Sequence, residues 1–171
     1  HCHVVKDAGD DPDVTNGAQV HAEVSFVEGN AATFLEGGEG IGRVTKPGLA
    51  VAVGEAAINP VPRRMIFGVI RTVFPDLPDG TSLRVTISIP DGEERAKRTL
   101  NARLGIVGGL SILGTTGIVR PISHKAWTDT IDTAVDVALA CGATSVVLST
   151  GRTSEVAAQK TLSLPEEAFV M

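Results

Sequence analysis

Three groups of residues in this chain have types and spacings that can do chemistry. The first is VVKDAGDDPDVTNG, where Asp7, Asp10, Asp11 and Asp13 fall within seven positions behind Lys6, and Gly9 and Pro12 break regular structure. A cation site, a working carboxylate, or a solvated loop of Asx turns would each account for it. The Asp-x-Asp spacing lacks the distal bidentate Glu of a calcium loop, so no metal site is assigned. Asp7 and Asp10 are kept as candidate catalytic carboxylates.

The second group lies in and after GGEGIGRVTKPG, residues 37–48. Position 43 is Arg, which spoils the G-x-G-x-x-G dinucleotide fingerprint, and no Lys-Ser/Thr of a P-loop follows. Arg43, Lys46, Arg63 and Arg64 all fall in irregular or helix-start positions. Guanidinium groups grip carboxylates bidentately, so these four are candidate contacts for a poly-carboxylate ligand whose flat face lies on glycine backbone. Solvated surface arginines and tight strand turns are the plainer alternatives. The third group is Ser149, Thr150, Gly151 and Arg152, from the last residue of SVVLS into the TGRT loop that follows. A glycine turn between a strand and a helix is where a nucleotide-like ligand meets a helix N-terminus. His1 and His3 share one face of a strand without further zinc ligands, and His21 and His124 lack an acid, thiol or serine partner; all are read as structural or exposed.

The elements that must position these residues are legible from periodicity. A short strand near His3 to Lys6 enters the acidic loop. Val20, Ala22, Val24 and Phe26 alternate through a second strand, and Leu83, Val85, Ile87 and Ile89 through another. VAVG, residues 51–54, is a brief strand candidate. Asn59 and Pro60 start a helix whose stripe Ile66, Val69, Ile70 and Val73 is expected to be buried. Asp91 and Glu94 have capping-box spacing and predict a helix through Ala96, Leu100 and Leu104 to Gly105. Residues 106–113 are an apolar, glycine-interrupted strand candidate leading into GTTGIVRP. A long helix from Ser123 is expected to bury Trp127, Ile131, Val135 and Leu139 and to end at Gly142. Residues 145–149 then form a buried strand and 154–162 a helix.

This order predicts an α+β domain with a mixed or antiparallel sheet over residues 1–122, then the start of a Rossmann-like α/β domain over 123–171. The chain has 171 residues, enough for one good core or one domain and part of a second. It begins at His1 rather than Met and stops at AFVM, so it is read as an internal fragment of a longer protein. A net charge of −5 argues against a nucleic-acid surface. No apolar run approaches the roughly 18 residues of a membrane span, and no signal peptide is visible. Cys2 and Cys141 give no disulfide framework and are read as free thiols of a reducing cytoplasm.

The segments VVKDAGDDPDVTNG, GGEGIGRVTKPGL, VGEAAINPVPRRMI, LNARLGIVGGLSILGTTGIVRP and LSTGRTSE occur here in that order. Together they resemble the cobalt-precorrin-5B C1-methyltransferase family of anaerobic cobalamin synthesis, and the chain resembles a central portion of its members. The resemblance implies methyl transfer from S-adenosylmethionine to ring carbon C1 of a cobalt-precorrin tetrapyrrole, giving cobalt-precorrin-6A. Arg43, Lys46, Arg63 and Arg64 would then hold the acetate and propionate arms. Ser149 to Arg152 would face the methyl donor, and Asp7 or Asp10 would attract the sulfonium or take a proton. The ribose-binding acid of a Rossmann-like site would fall near or beyond Met171, so the fragment itself is expected to bind its donor poorly or not to turn over. Two other readings stay open: a tetrapyrrole- or polyanion-binding module without chemistry, and a structural or dimerising domain. A homo-oligomer is compatible with any of them.

Overall fold

The computed structural model describes residues 1–113 and 124–171; GTTGIVRP, the helix start at Ser123 and the domain change placed between 122 and 123 lie outside the described residues. The chain is a mixed α/β structure built on a four-stranded mixed sheet. Its strands are β1 (Cys2–Val5), β2 (Gln19–Glu28), β3 (Thr33–Gly37) and β5 (Thr81–Ser88), in spatial order β1-β2-β5-β3. The first two pairings are antiparallel and β3 runs parallel to β5. Between β3 and β5 the chain makes the two-residue β4 (Arg43–Val44) and helix α1 (Pro60–Val73). That length of crossover is what a parallel pair requires.

Register sorts the sheet into two unlike faces. Phe26, Val24 and Ala22 sit opposite Leu83, Val85 and Ile87, which in turn oppose Thr33, Leu35 and Gly37. This face receives Ile66 and Ile70 of α1 and Phe74 just past its end, and forms the main core with Ala18, Ile41, Ile58, Ile89 and Leu110. The other face carries Glu23, Ser25, Arg84, Thr86, Phe34 and Glu36. A second, smaller core of Val44, Val51, Ala57 and Ile106 lies under β4 and β6 (Ile106–Val107).

Several expectations are corrected here. VAVG is a turn: Gly54 takes φ +91° and donates to Val44 O (2.8 Å), which returns the chain so that Ala56 bridges Arg43. The helix expected to reach Gly105 is only α2 (Gly92–Ala96). Asp91 makes no side-chain cap and instead holds Arg95 Nε at 2.7 Å, while Asn101 leaves the helical path to donate to Gly109 O (3.0 Å). On α1 the stripe splits: Ile66 and Ile70 pack on the sheet, whereas Val69 and Val73 are exposed beside Met65.

The last 48 described residues hold α3 (His124–Ala140), β7 (Val147–Leu148), α4 (Arg152–Thr161), a 3-10 turn (Glu166–Ala168) and β8 (Phe169–Val170). β7 and β8 pair in parallel, so β7-α4-β8 is one βαβ unit. The buried side of α3 is Val137 and Ala138; Trp127 and Leu139 are exposed, because the helix rests on the 3-10 turn and β8 through a different face. Leu148 of β7 is likewise exposed rather than buried.

Candidate functional site

The acidic loop closes at its base, where Lys6 N donates to Ala18 O and Gly17 N to Lys6 O, both at 2.8 Å. Inside it, Asp7 Oδ1 accepts from Gly9 N (2.8 Å) and Asp13 Oδ1 from Thr15 N (2.8 Å): two Asx turns. Lys6 Nζ pairs with Asp13 and donates to the Thr15 hydroxyl. Burial raises the Asp13 pKa, but the hydrogen bonds from Lys6 and Thr15 outweigh it and hold the carboxyl below its ordinary value. Arg95 Nη1 donates to Val14 O (2.7 Å) and Asn16 O (2.8 Å), tying the loop to α2. Asp7 and Asp10 are exposed at the loop surface. Among the described residues no His, Cys, Asp and Glu cluster is fit to hold a metal.

The glycine ribbon is packed against the chain itself. A Cβ on Gly40 would lie 1.8 Å from Ile89 O, one on Gly92 or Gly109 would each lie 2.2 Å from Gly40 O, and Gly40 has φ +70°. Three backbones therefore cross in contact at Gly40, Gly92 and Gly109. Residues 40–42 are buried. The expectation that a flat ligand lies on this backbone is corrected: protein already fills the space that the missing side chains leave.

What the ribbon does is carry Arg43 to the edge of the sheet. A cavity of about 390 Å³ opens off β3, lined by Leu35, Glu36, Gly37, Arg43, Gly54, Glu55, Ala56 and Arg63. β3 is an edge strand. Leu83 N donates to Ala32 O and Gly38 N to Ile87 O, so the alternation of a parallel ladder turns the main-chain groups of Leu35 and Gly37 away from β5, toward the cavity side. Arg63 sits in the first turn of α1, which Pro60 starts. Its Nε donates to Ile58 O (2.8 Å), and its Nη2 to Ala56 O (3.4 Å) and to Glu55 (3.3 Å). Arg84 Nε lies 3.6 Å from Glu36. Arg43 donates to Gly54 O and has no carboxylate partner among the described residues. Arg43 is thus the cavity guanidinium with no carboxylate within 4 Å among the described residues, in a lining that also holds Glu36 and Glu55, and it is placed to take a single carboxylate.

Of the four cations singled out in the sequence, Arg43 and Arg63 share this cavity. Arg64, next along α1, is exposed and does not line it. Lys46 is turned elsewhere: its Nζ meets Glu167 at 2.8 Å and donates to Arg103 O (3.1 Å). The hydrogen bond from Lys46 to the Glu167 carboxylate, with one from the Glu167 backbone, holds that carboxyl below its ordinary pKa. Glu36, Glu55 and Arg84 were not anticipated; nothing in their spacing marks them, since the sheet register and the 51–54 turn bring them here.

Ser149, Thr150 and Gly151 form the loop at the carboxyl end of β7, and Arg152 opens α4. Ser149 N donates to Val170 O (2.8 Å), and Gly151 O accepts from the Ser154 hydroxyl (2.7 Å). In contrast to the ribbon glycines, the missing side chain of Gly151 faces open space. Gly151 gives α4 no side-chain cap, so the first turn of the helix presents its amides beside open backbone.

Fold and site define a mixed α/β chain with a two-arginine cavity at a sheet edge and a βα loop whose glycine faces open space. The profile of the family described as CbiD matches residues 1–121, and the chain belongs to that family. It is 69% identical to the cobalt-precorrin-5B C(1)-methyltransferase of Citrifermentans bemidjiense, over 99% of this chain and 48% of the relative. It is 64% identical to that of Geobacter sulfurreducens, over 99% of this chain and 49% of the relative. Among solved structures, the cobalamin biosynthesis protein CbiD of Archaeoglobus fulgidus superposes with a TM-score of 0.53 at 30% identity, covering 98% of this chain and 52% of that one. The chain spans about half the length of the curated relatives it matches.

Proposed function

We propose that this chain belongs to an enzyme that methylates C1 of cobalt-precorrin-5B, with S-adenosylmethionine as donor, in the cytoplasm. The observation that carries the reading is the cavity shared by Arg43 and Arg63, in a chain 69% identical to a curated relative of that name. Arg43, lacking a carboxylate, takes an acetate or propionate arm of the macrocycle. Arg63 supports the opposite wall through its bonds to Ile58 O and Ala56 O. The loop from Ser149 to Arg152 takes the donor.

S-adenosylmethionine would supply the methyl group: its carbon–sulfur bond would break as a π-electron pair of the ring forms the new carbon–carbon bond, leaving a neutral thioether and passing the positive charge to the macrocycle. Such a displacement requires in-line approach at near-contact distance and exclusion of water more than acid–base chemistry. The protein's task is then to fix the disc by its arms and aim the donor at one ring carbon. The reading gives no step to Asp7 or Asp10, which do not line the cavity.

The test uses the full-length protein with labelled donor and the cobalt-corrinoid acceptor. Loss of one charge-assisted contact costs about 1.5–3 kcal/mol. R43M is therefore expected to raise the acceptor KM about 10- to 100-fold, and R64M to leave it within two-fold. Equal effects of the two substitutions would remove the cavity from the reaction. Binding of the corrinoid without methyl incorporation in the wild type would replace the enzyme with a carrier module.

A further inference from the structure

One group of charges has no part in either ligand site. Glu155 lies in the first turn of α4, three positions after Arg152, and is only 4% exposed. Its counter-charge comes from the other half of the chain. Arg103 Nη2 stands 2.5 Å from Glu155 Oε1 and donates to Phe169 O, also at 2.5 Å. The contact with the carboxylate is an ion pair without hydrogen-bond alignment, so Oε1 is buried without a hydrogen bond. Arg103 is thus shared between the helix that follows the donor loop and the strand that pairs with β7.

The surroundings make this a joint rather than a loose surface pair. Lys46, at the end of the glycine ribbon, donates to the carbonyl of Arg103 and pairs with Glu167. The Lys46 side chain crosses Gly105, whose Cβ would lie 2.4 Å from Lys46 Cγ. Gly48 abuts α3 so closely that a Cβ would stand 2.7 Å from Val137 Cα. Leu100, Leu104, Val137 and Phe169 close a crevice of about 30 Å³ around Arg103. The same ribbon that ends in Lys46 carries Arg43, and β4 pairs with β6 just after Arg103. A continuous path of paired strand, ion pair and helix turn therefore runs from the arginine cavity to the Ser149–Arg152 loop.

We propose that Arg103 and Glu155 are positioning residues that hold the donor loop at a fixed place relative to the arginine cavity. This rests on the reading that the loop takes the methyl donor. A buried carboxylate is costly unless its partner stays in place, so the pair has one low-energy arrangement and transmits it to the first turn of α4. Arg rather than Lys is required, because both contacts are made by Nη2, which lies one bond farther from Cα than a lysine Nζ.

The test compares full-length wild type with R103K, E155Q and the double variant R103M/E155M. Melting temperature, donor KM, acceptor KM, kcat, and hydrogen exchange at the 149–155 amides are measured. R103K and E155Q are expected to raise donor KM at least ten-fold, to leave acceptor KM within two-fold, and to speed exchange at 149–155. Replacing a buried pair by apolar side chains commonly restores stability, so the double variant is expected to melt near wild type yet keep the high donor KM and fast exchange. If the double variant recovers donor KM and slow exchange along with its melting temperature, the pair is merely structural and the proposal falls. Unchanged donor KM and exchange in R103K and E155Q would overturn it equally. A wild type that transfers no methyl group defeats the functional reading, while exchange at 149–155 still decides the joint.

Discussion

Placing a single methyl group at Gly109 tests the backbone crossing on which the cavity wall depends. Gly109 does not occupy the left-handed region, so Gly109→Ala introduces a steric effect without a conformational one. The new Cβ would lie 2.2 Å from Gly40 O, 2.4 Å from Gly40 C and 2.8 Å from Gly42 N. Ordinary carbon–oxygen contact begins near 3.3 Å, so the strands must part by about 1 Å. All three atoms are main chain, and no rotamer change relieves them. The displacement stretches two hydrogen bonds, Leu110 N to Gly40 O (2.9 Å) and Gly42 N to Leu110 O (2.8 Å). Overpacking costs about 1–3 kcal/mol and each weakened hydrogen bond about 1 kcal/mol, giving about 3–5 kcal/mol in total. For a chain of this size that lowers Tm by about 6–20 °C, read by thermal melting under circular dichroism. A G109A protein melting within about 2 °C of wild type would mean that the crossing is slack, and the account of the ribbon would fail with it.

Gly68→Ala is the matched contrast: it lies inside α1 with nothing within 4 Å of the new Cβ, so stability should rise by about 0.5–1 kcal/mol, and a fall would show that α1 packs more tightly at that position than described. Asp13 makes a pH prediction. Its folded pKa lies below that of a free aspartate, so its stabilisation is complete above the free value and is lost as pH falls through the lower folded one. The Tm difference between wild type and D13N should therefore be constant from about pH 5 to 8 and shrink below about pH 4, its size under about 1 kcal/mol because the pair is partly solvated; a difference that grows on acidification would contradict the Lys6 assignment. D7N and D10N should each leave methyl transfer by the full-length protein within about three-fold, whereas a loss on the order of 100-fold in either would return catalysis to the acidic loop.

Strand alternation was readable wherever one face of a strand meets the core and the other does not. Leu83, Val85 and Ile87 announce β5 because α1 covers one side only. Asn59 followed by Pro60 announces α1 because Pro tolerates the first helical turn. Elsewhere local signals lost to contacts distant in sequence. Asp91 and Glu94 have capping spacing, yet the loop at Val14 and Asn16 claims Arg95, and Asn101 turns toward Gly109. The candidate site was legible in its cations and illegible in its partners. Arg43 and Arg63 stand out as residue types, but Glu55 enters only through the 51–54 turn and Glu36 only through the register of β3. Lys46 looked equivalent to Arg43 three positions earlier; a bend of the ribbon sends it to Glu167 instead.

The glycines bear on function without touching a ligand. Leu110 N bonds Gly40 O, Gly42 N bonds Leu110 O, and Ala57 N bonds Gly42 O at 2.7 Å, so one ladder of main-chain bonds runs from the crossing to the residue beside Ala56. Ala56 bridges Arg43, and its carbonyl accepts from Arg63. Both cavity arginines are therefore set by backbone positions that depend on three absent side chains. On the reading proposed above, side chains held this way lose little further freedom on binding a carboxylate, and that freedom is a main cost of binding through long cationic groups. A glycine-rich ribbon is usually taken as a sign of flexibility or of close approach to a ligand. Here its packing implies the opposite of flexibility: the close approach is between strands of the same chain, and rigidity at Gly40, Gly92 and Gly109 is what presents Arg43 at the sheet edge.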